Sequence, residues 1–260
     1  MIEMIFLAVL LSSIAAFWDL LTTEVPDEIP ALMISSGVFF WYIRWLNGDA
    51  AAFVYSLLIG TAILAAGLAL YKSGKWGGAD AWILAAIFYM VPIANSRIFL
   101  VDYMYNLLIV SSAYTIVYAI ILGLLNRNVF HHFLNDLKAN ARMISVLLMC
   151  LAAGFALIYL YRLPPPFISI IIMFTFLLFF WRYAQVIEKT VFTKRIPTRN
   201  LKVGDVLQSM IWRGLTYEEV RKIRKQKKTV VIKEGMRFVP VFPITLVVTI
   251  VYGNLLFLIL

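Results

Sequence analysis

The sequence predicts an all-α polytopic membrane protein of about eight transmembrane helices, six at the fewest, with a small basic cytoplasmic domain before the last helix. Three observations carry this. Hydrophobic residues make up 63% of the 260 and charged residues only 14%, where a soluble domain carries about 25% charge. Apolar runs of the ~18 residues needed to cross a bilayer recur along the chain. The charge is also segregated: fourteen of the 23 Lys and Arg lie between Lys189 and Arg237.

The runs predict spans over 2–18, 29–46, 51–71, 80–95, 104–125, 143–162, 167–187 and 239–258. Ile2–Trp18 lacks a basic leading region and a small-residue cleavage site, so it reads as the first span and not as a signal peptide. It ends at Asp19. The connection to the second span holds Asp19, Glu24, Asp27 and Glu28. Asp27 is placed to cap the second helix, with Glu28 and Pro30 in its first turn. Before the fourth run stands Lys75-Trp-Gly-Gly-Ala-Asp80. Gly77 and Gly78 permit an irregular backbone there. Ala81–Ala94 is short for a span, so Asp80 starts below headgroup level, and Pro92 kinks or ends that helix.

Residues 128–142 read as an amphipathic surface helix with Phe130, Phe133, Leu134 and Leu137 on one side. Farther along, Gly204-Asp205 marks a turn. Thr216 and Glu219 form a capping box for a basic helix to about Lys228, and Val230–Ile232 suits a strand. Glu188 is expected to pair with its neighbour Lys189. Trp41, Tyr42, Trp45, Trp181 and Tyr183 fall at span ends, as interfacial aromatics do. The chain thus divides into a catalytic core, 1–125; an amphipathic segment with an additional helix pair, 126–187; a basic segment, 188–238; and a last helix, 239–260.

Orientation follows from the basic residues. Alternate connections place nineteen of the 23 Lys and Arg on one face, against Arg44, Arg97 and Arg162 on the other, with Arg182 inside the seventh span. The basic face is therefore cytoplasmic and the N-terminus outside. Asp19 and Asp80 both fall on the basic face. The basic run 221–228, set between spans, suits anionic lipid headgroups rather than nucleic acid. One cysteine, Cys150, and two adjacent histidines, His131 and His132, make no disulfide framework or metal site, so no metal or cofactor is expected.

Ionisable residues at membrane helices are functional candidates, though an aspartate at a helix end is also an ordinary cap. Two carboxylates sharing one proton suit peptide hydrolysis: the ionised one takes a proton from water and the protonated one donates to the carbonyl oxygen. The acidic 19–28 connection on a basic face would draw a basic peptide.

Asp19 with the following Glu-Val-Pro-Asp-Glu-Ile, and Gly77-Gly-Ala-Asp80 opening a later span, resemble the archaeal preflagellin and prepilin peptidases, membrane aspartic proteases with a Gly-x-Gly-Asp motif. Leu201–Leu207, Gly214–Thr216 and Ile232–Pro243 are similar to that family's C-terminal region. The resemblance covers roughly the first 125 and the last 60 residues. It departs at Ala79, which replaces the motif's second glycine, and in an extra helix pair over 143–187. It implies that Asp19 and Asp80 are catalytic and that Gly77, Gly78 and Ala79 let substrate backbone approach. It implies multi-pass insertion in the cell membrane and removal of short basic leaders from preflagellin or prepilin-like precursors at the cytoplasmic face. Glu24, Asp27 and Glu28 would hold the leader. Rival expectations are a proton- or cation-coupled transporter using the same aspartates, a protease cutting inside lipid-embedded helices, which would want its first aspartate within a span, and a scaffold in which both aspartates are caps.

Overall fold

The computed structural model describes residues 2–74, 76–94, 97–162, 164, 166–208 and 214–259. Lys75 of the basic count, Asn95 at the expected end of span four, Pro165 of the outer turn and Arg213 of the basic segment lie outside the described residues. The chain runs α1 (Ile2–Thr22), α2 (Glu28–Leu46), α3 (Ala50–Lys72), α4 (Gly78–Met90), a two-residue pair β1 (Ile93–Ala94) and β2 (Arg97–Ile98), α5 (Phe99–Leu125), α6 (Arg127–Ala139), α7 (Ala141–Tyr161) and α8 (Pro166–Thr190). Then come β3 (Thr193–Pro197), β4 (Val206–Leu207), α9 (Tyr217–Gln226), β5 (Thr229–Lys233), α10 (Val241–Tyr252) and the single turn α11 (Leu256–Ile259). Among the described residues six helices are long and apolar enough to cross a membrane: α1, α2, α3, α5, α7 and residues 171–190 of α8. Two apolar helices, α4 and α10, are shorter. The protein is an all-α polytopic membrane protein.

α4 is the centre. It has thirteen residues, about 20 Å of helix, against a hydrocarbon thickness of about 30 Å. From Ile83 to Met90 every residue is buried, so α4 faces protein rather than lipid and its length is not set by the bilayer. α3 approaches it through Gly60 and Gly67, one heptad apart. A Cβ at Gly60 would fall 2.7 Å from the Tyr89 ring, and one at Gly67 2.8 Å from the Ala81 Cβ; small residues let helices pack this closely. The last carbonyls of α4 are answered from outside it, as helix ends require. Ser56 Oγ donates to Tyr89 O at 2.7 Å, and Trp41 Nε1 donates to Met90 O at 3.1 Å. Trp41 is therefore a buried structural donor and not an interfacial aromatic. The helix stops ahead of Pro92, as expected, but at Met90 rather than at 95; Pro92 disfavours the helical conformation for the residue before it.

α5 ties the C-terminal helix to this core. Asn106, fully buried, donates to Thr249 Oγ1 at 2.9 Å and to Gly253 O at 2.6 Å, and accepts from Leu255 N at 2.9 Å. Tyr103 Oη donates to Phe242 O at 3.1 Å. Residues 4–107 of the core and Val239–Leu246 thus share one apolar cluster.

The amphipathic helix α6 lies against α8 through Val129 and Phe133, and Phe130 points away, 63% exposed. Asp136 and Arg182 form a bidentate ion pair, with oxygens 2.7 and 2.6 Å from Nη2. The polar segment after α8 folds around a three-stranded antiparallel sheet, order β3-β5-β4, with its own core of Leu201, Leu207, Leu215, Val220, Val230 and Ile232. The strand at 230–232, the turn at Gly204-Asp205 and the capping box on α9 are present; β3 and β4 were not expected. Glu188 pairs with Lys233 at 2.6 Å rather than with Lys189, because β5 brings a lysine to the end of α8.

Candidate functional site

Helical phase turns Asp19 inward. The buried face of α1 is Met4, Ala8, Leu11, Ser12, Ala15, Ala16 and Asp19, the i, i+4, i+7, i+11 progression of a helix stripe. Asp19 is not at a wet span end, as the sequence suggests; it lies within the last turn of α1 and is 6% exposed. A buried carboxylate needs donors, and the backbone N–H of Val239, 220 residues on, donates to its Oδ2 at 3.1 Å. The charge of Arg237 also acts on it. α1 ends with Thr23 in the left-handed region, φ 63°, where a β-branched residue is strained. Thr23 borders the cavity described next.

Asp80 is the third residue of α4, and its carboxylate turns back to accept from the backbone N–H of Gly77, the residue capping that helix. This is half of a capping box. Gly77 has φ −74° and ψ 147°, a conformation open to any residue, so its value is not conformational freedom. The left-handed glycine of this connection is Gly74, φ 70°. Gly77 provides space: a Cβ there would stand 2.5 Å from Asp80 Oδ2. At Gly78 a Cβ would meet the Tyr71 ring at 3.4 Å, an ordinary contact. Ala79 is half-buried.

The two aspartates meet electrostatically: the charge of Asp19 acts on Asp80. Asp80 opens into a cavity of about 860 Å³, within the range of ligand sites. Its wall holds Tyr71 of α3 and, from the connections after α1 and α3, Thr23, Gly74, Trp76 and Gly77, and the polar unit contributes Gly204, Val206, Gly214, Gly235, Met236 and Phe238. Five of its residues are glycines, which leave bare backbone to face whatever enters. Glu24, Asp27 and Glu28 follow Thr23 and are exposed. Asp27 occupies the cap position of α2 without a side-chain capping bond, so its carboxylate is not spent on the helix.

The sequence singles out Asp19, Asp80 and the glycines; it does not single out Arg237, Val239 and Tyr114, which act around Asp19. Their signal was a basic residue in an otherwise apolar approach to the last helix, Met236-Arg-Phe-Val-Pro240.

Fold and site together define a multi-pass helical membrane protein with a carboxylate-bearing cavity between its helix ends and a polar unit. Residues 5–126 match the model of the type IV leader peptidase family. That segment, which includes Asp19 and Asp80, is similar to the peptidases of this family. No curated protein and no solved structure matches the chain.

Proposed function

We propose that the protein is an aspartic endopeptidase in which Asp19 and Asp80 form the catalytic pair, cutting short basic leaders from archaeal preflagellins or prepilin-like precursors. The observation that carries the proposal is that the charge of Asp19 acts on Asp80 beside a glycine-walled cavity. A water between them gives a proton to the ionised carboxylate as its oxygen attacks the scissile carbonyl carbon. The protonated carboxylate donates to the carbonyl oxygen. Collapse of the tetrahedral species breaks the C–N bond and returns a proton to the leaving amine. The two groups titrate as a unit.

The exposed carboxylates of Glu24, Asp27 and Glu28, which follow the cavity residue Thr23 in the chain, support a basic leader held there, and Gly77, Gly78 and Ala79 the approach of its backbone. The basic residues support a cytoplasmic location for this face, an outside N-terminus, and contact of the 188–238 segment with anionic headgroups. The match of residues 5–126 to a peptidase family speaks against the transporter. A second reading, cleavage inside a lipid-embedded helix, draws on the position of Asp19 within α1; the site of the cut, before or within the precursor's apolar helix, separates the two.

The test is cleavage of a preflagellin in membranes by wild type, Asp19→Asn and Asp80→Asn. Each substitution should lower turnover by about 10²-fold or more while the protein still inserts. Full activity in either variant would remove the pair from the mechanism.

A further inference from the structure

Arg237 stands in the connection between β5 and α10, outside the residues that match the family. Its neighbours Met236 and Phe238 border the cavity, and Arg237 is not among the residues that line it. Its Nε is buried without a hydrogen-bond partner among the described residues. A buried donor left open in a native fold calls for an explanation.

The backbone around it is tied at two points. Tyr114 Oη of α5 donates to the Arg237 carbonyl at 2.6 Å, and the N–H two residues on, at Val239, donates to Asp19 Oδ2. Pro240 follows immediately and caps α10. The guanidinium is thereby fixed where its charge acts on both Asp19 and Tyr114. Tyr118 is stacked on Tyr114, and the charge of Asp19 acts in turn on Asp80. No ion pair joins Arg237 to a carboxylate among the described residues, so it acts through space on a carboxylate whose direct donor is backbone.

We propose that Arg237 is a positioning residue of the catalytic pair: it holds the negative charge on Asp19, so that Asp19 is the base that takes the proton from water and Asp80 keeps the shared proton as the acid. This rests on the peptidase reading above. Through-space attraction from a cation favours the ionised form of a carboxylate, and repulsion between the pair then leaves the proton on the other member. Arg237 does not line the cavity, so its loss should be felt in turnover and not in substrate binding.

The experiment is steady-state cleavage of a preflagellin by purified full-length protein in liposomes, comparing wild type, Arg237→Gln and Arg237→Lys, with Asp19→Asn and Asp80→Asn as blanks. Gln keeps an N–H donor at about the place of Nε and removes the charge; Lys keeps the charge. Arg237→Gln should lose about tenfold or more in kcat with KM within about twofold. Arg237→Lys should recover kcat to within about threefold of wild type. Wild-type kcat in the Gln variant, or a loss confined to KM, overturns the proposal. So does a Lys variant as impaired as the Asp blanks, a comparison that decides the matter even if the Gln variant does not insert. Failure of wild type to cut, or activity in the blanks, would instead refute the peptidase pair itself.

Discussion

Gly77→Ala isolates the geometry of Asp80 from the stability of the fold. The backbone at Gly77, φ −74° and ψ 147°, suits alanine, and exchanging glycine at a helix cap costs only a few tenths to about 1 kcal/mol. The added Cβ, however, would lie 2.5 Å from Asp80 Oδ2, about 1 Å inside an ordinary contact of ~3.5 Å. The carboxylate must swing by about that distance, giving up its bond to the Gly77 N–H. A displacement of about 1 Å of a reacting group lowers turnover by about 10²-fold, or about 2.7 kcal/mol in the barrier. Gly78→Ala is the steric comparison: its Cβ meets only the Tyr71 ring at 3.4 Å, so it leaves Asp80 in place and any effect of crowding the substrate backbone should show in KM rather than kcat. Both are assayed for kcat and KM on a preflagellin in liposomes, with melting temperature in detergent measured in parallel. If Gly77→Ala turned over like wild type with an unchanged melt, Asp80 would not need its observed placement, and the argument from Gly77 to catalysis would fail.

Two further perturbations separate other parts of the molecule. Glu24→Lys reverses an exposed charge next to Thr23 at the cavity and should raise KM for a basic-leader precursor several-fold at low salt, an effect fading as ionic strength rises; an unchanged KM would discard the leader-binding role. Asn106→Ala deletes three hydrogen bonds between α5 and the end of α10; at about 0.6 kcal/mol each inside a membrane it should destabilise by about 2 kcal/mol, read as a lower melting temperature, whereas no change in melting would mean that α10 is held by packing alone.

The long helices were legible because lipid imposes a simple demand: about twenty apolar residues in a row. The sheet of the polar unit was not. β3 reads Thr-Lys-Arg-Ile-Pro and β4 is two residues, too short for alternation to register; β5, with its three aliphatic residues, was the one strand the sequence revealed. The phase of α1 was also in plain view, since Ala8, Ser12, Ala15 and Asp19 keep one face. An apolar run that stops at Trp18 nevertheless makes the next charge look solvated. What buries Asp19 safely is a backbone amide 220 residues away, and no local pattern encodes a donor at that distance. Lys189 beside Glu188 misled for the same reason, the true partner Lys233 being 45 residues on.

The division of labour in the site follows from the shortness of its central helix. A thirteen-residue α4 packed against α1, α2 and α3 is about 10 Å shorter than a full crossing, and its first turn, with Asp80, opens onto the cavity. Protein must line such a cavity, since irregular backbone at membrane depth survives only against protein or trapped water. The polar unit supplies that lining through Gly204, Gly214 and Gly235, and the run that leaves it for α10 supplies the amide for Asp19. The family-matched half therefore carries both carboxylates, while the amide donor and cation that act on Asp19 come from the other half.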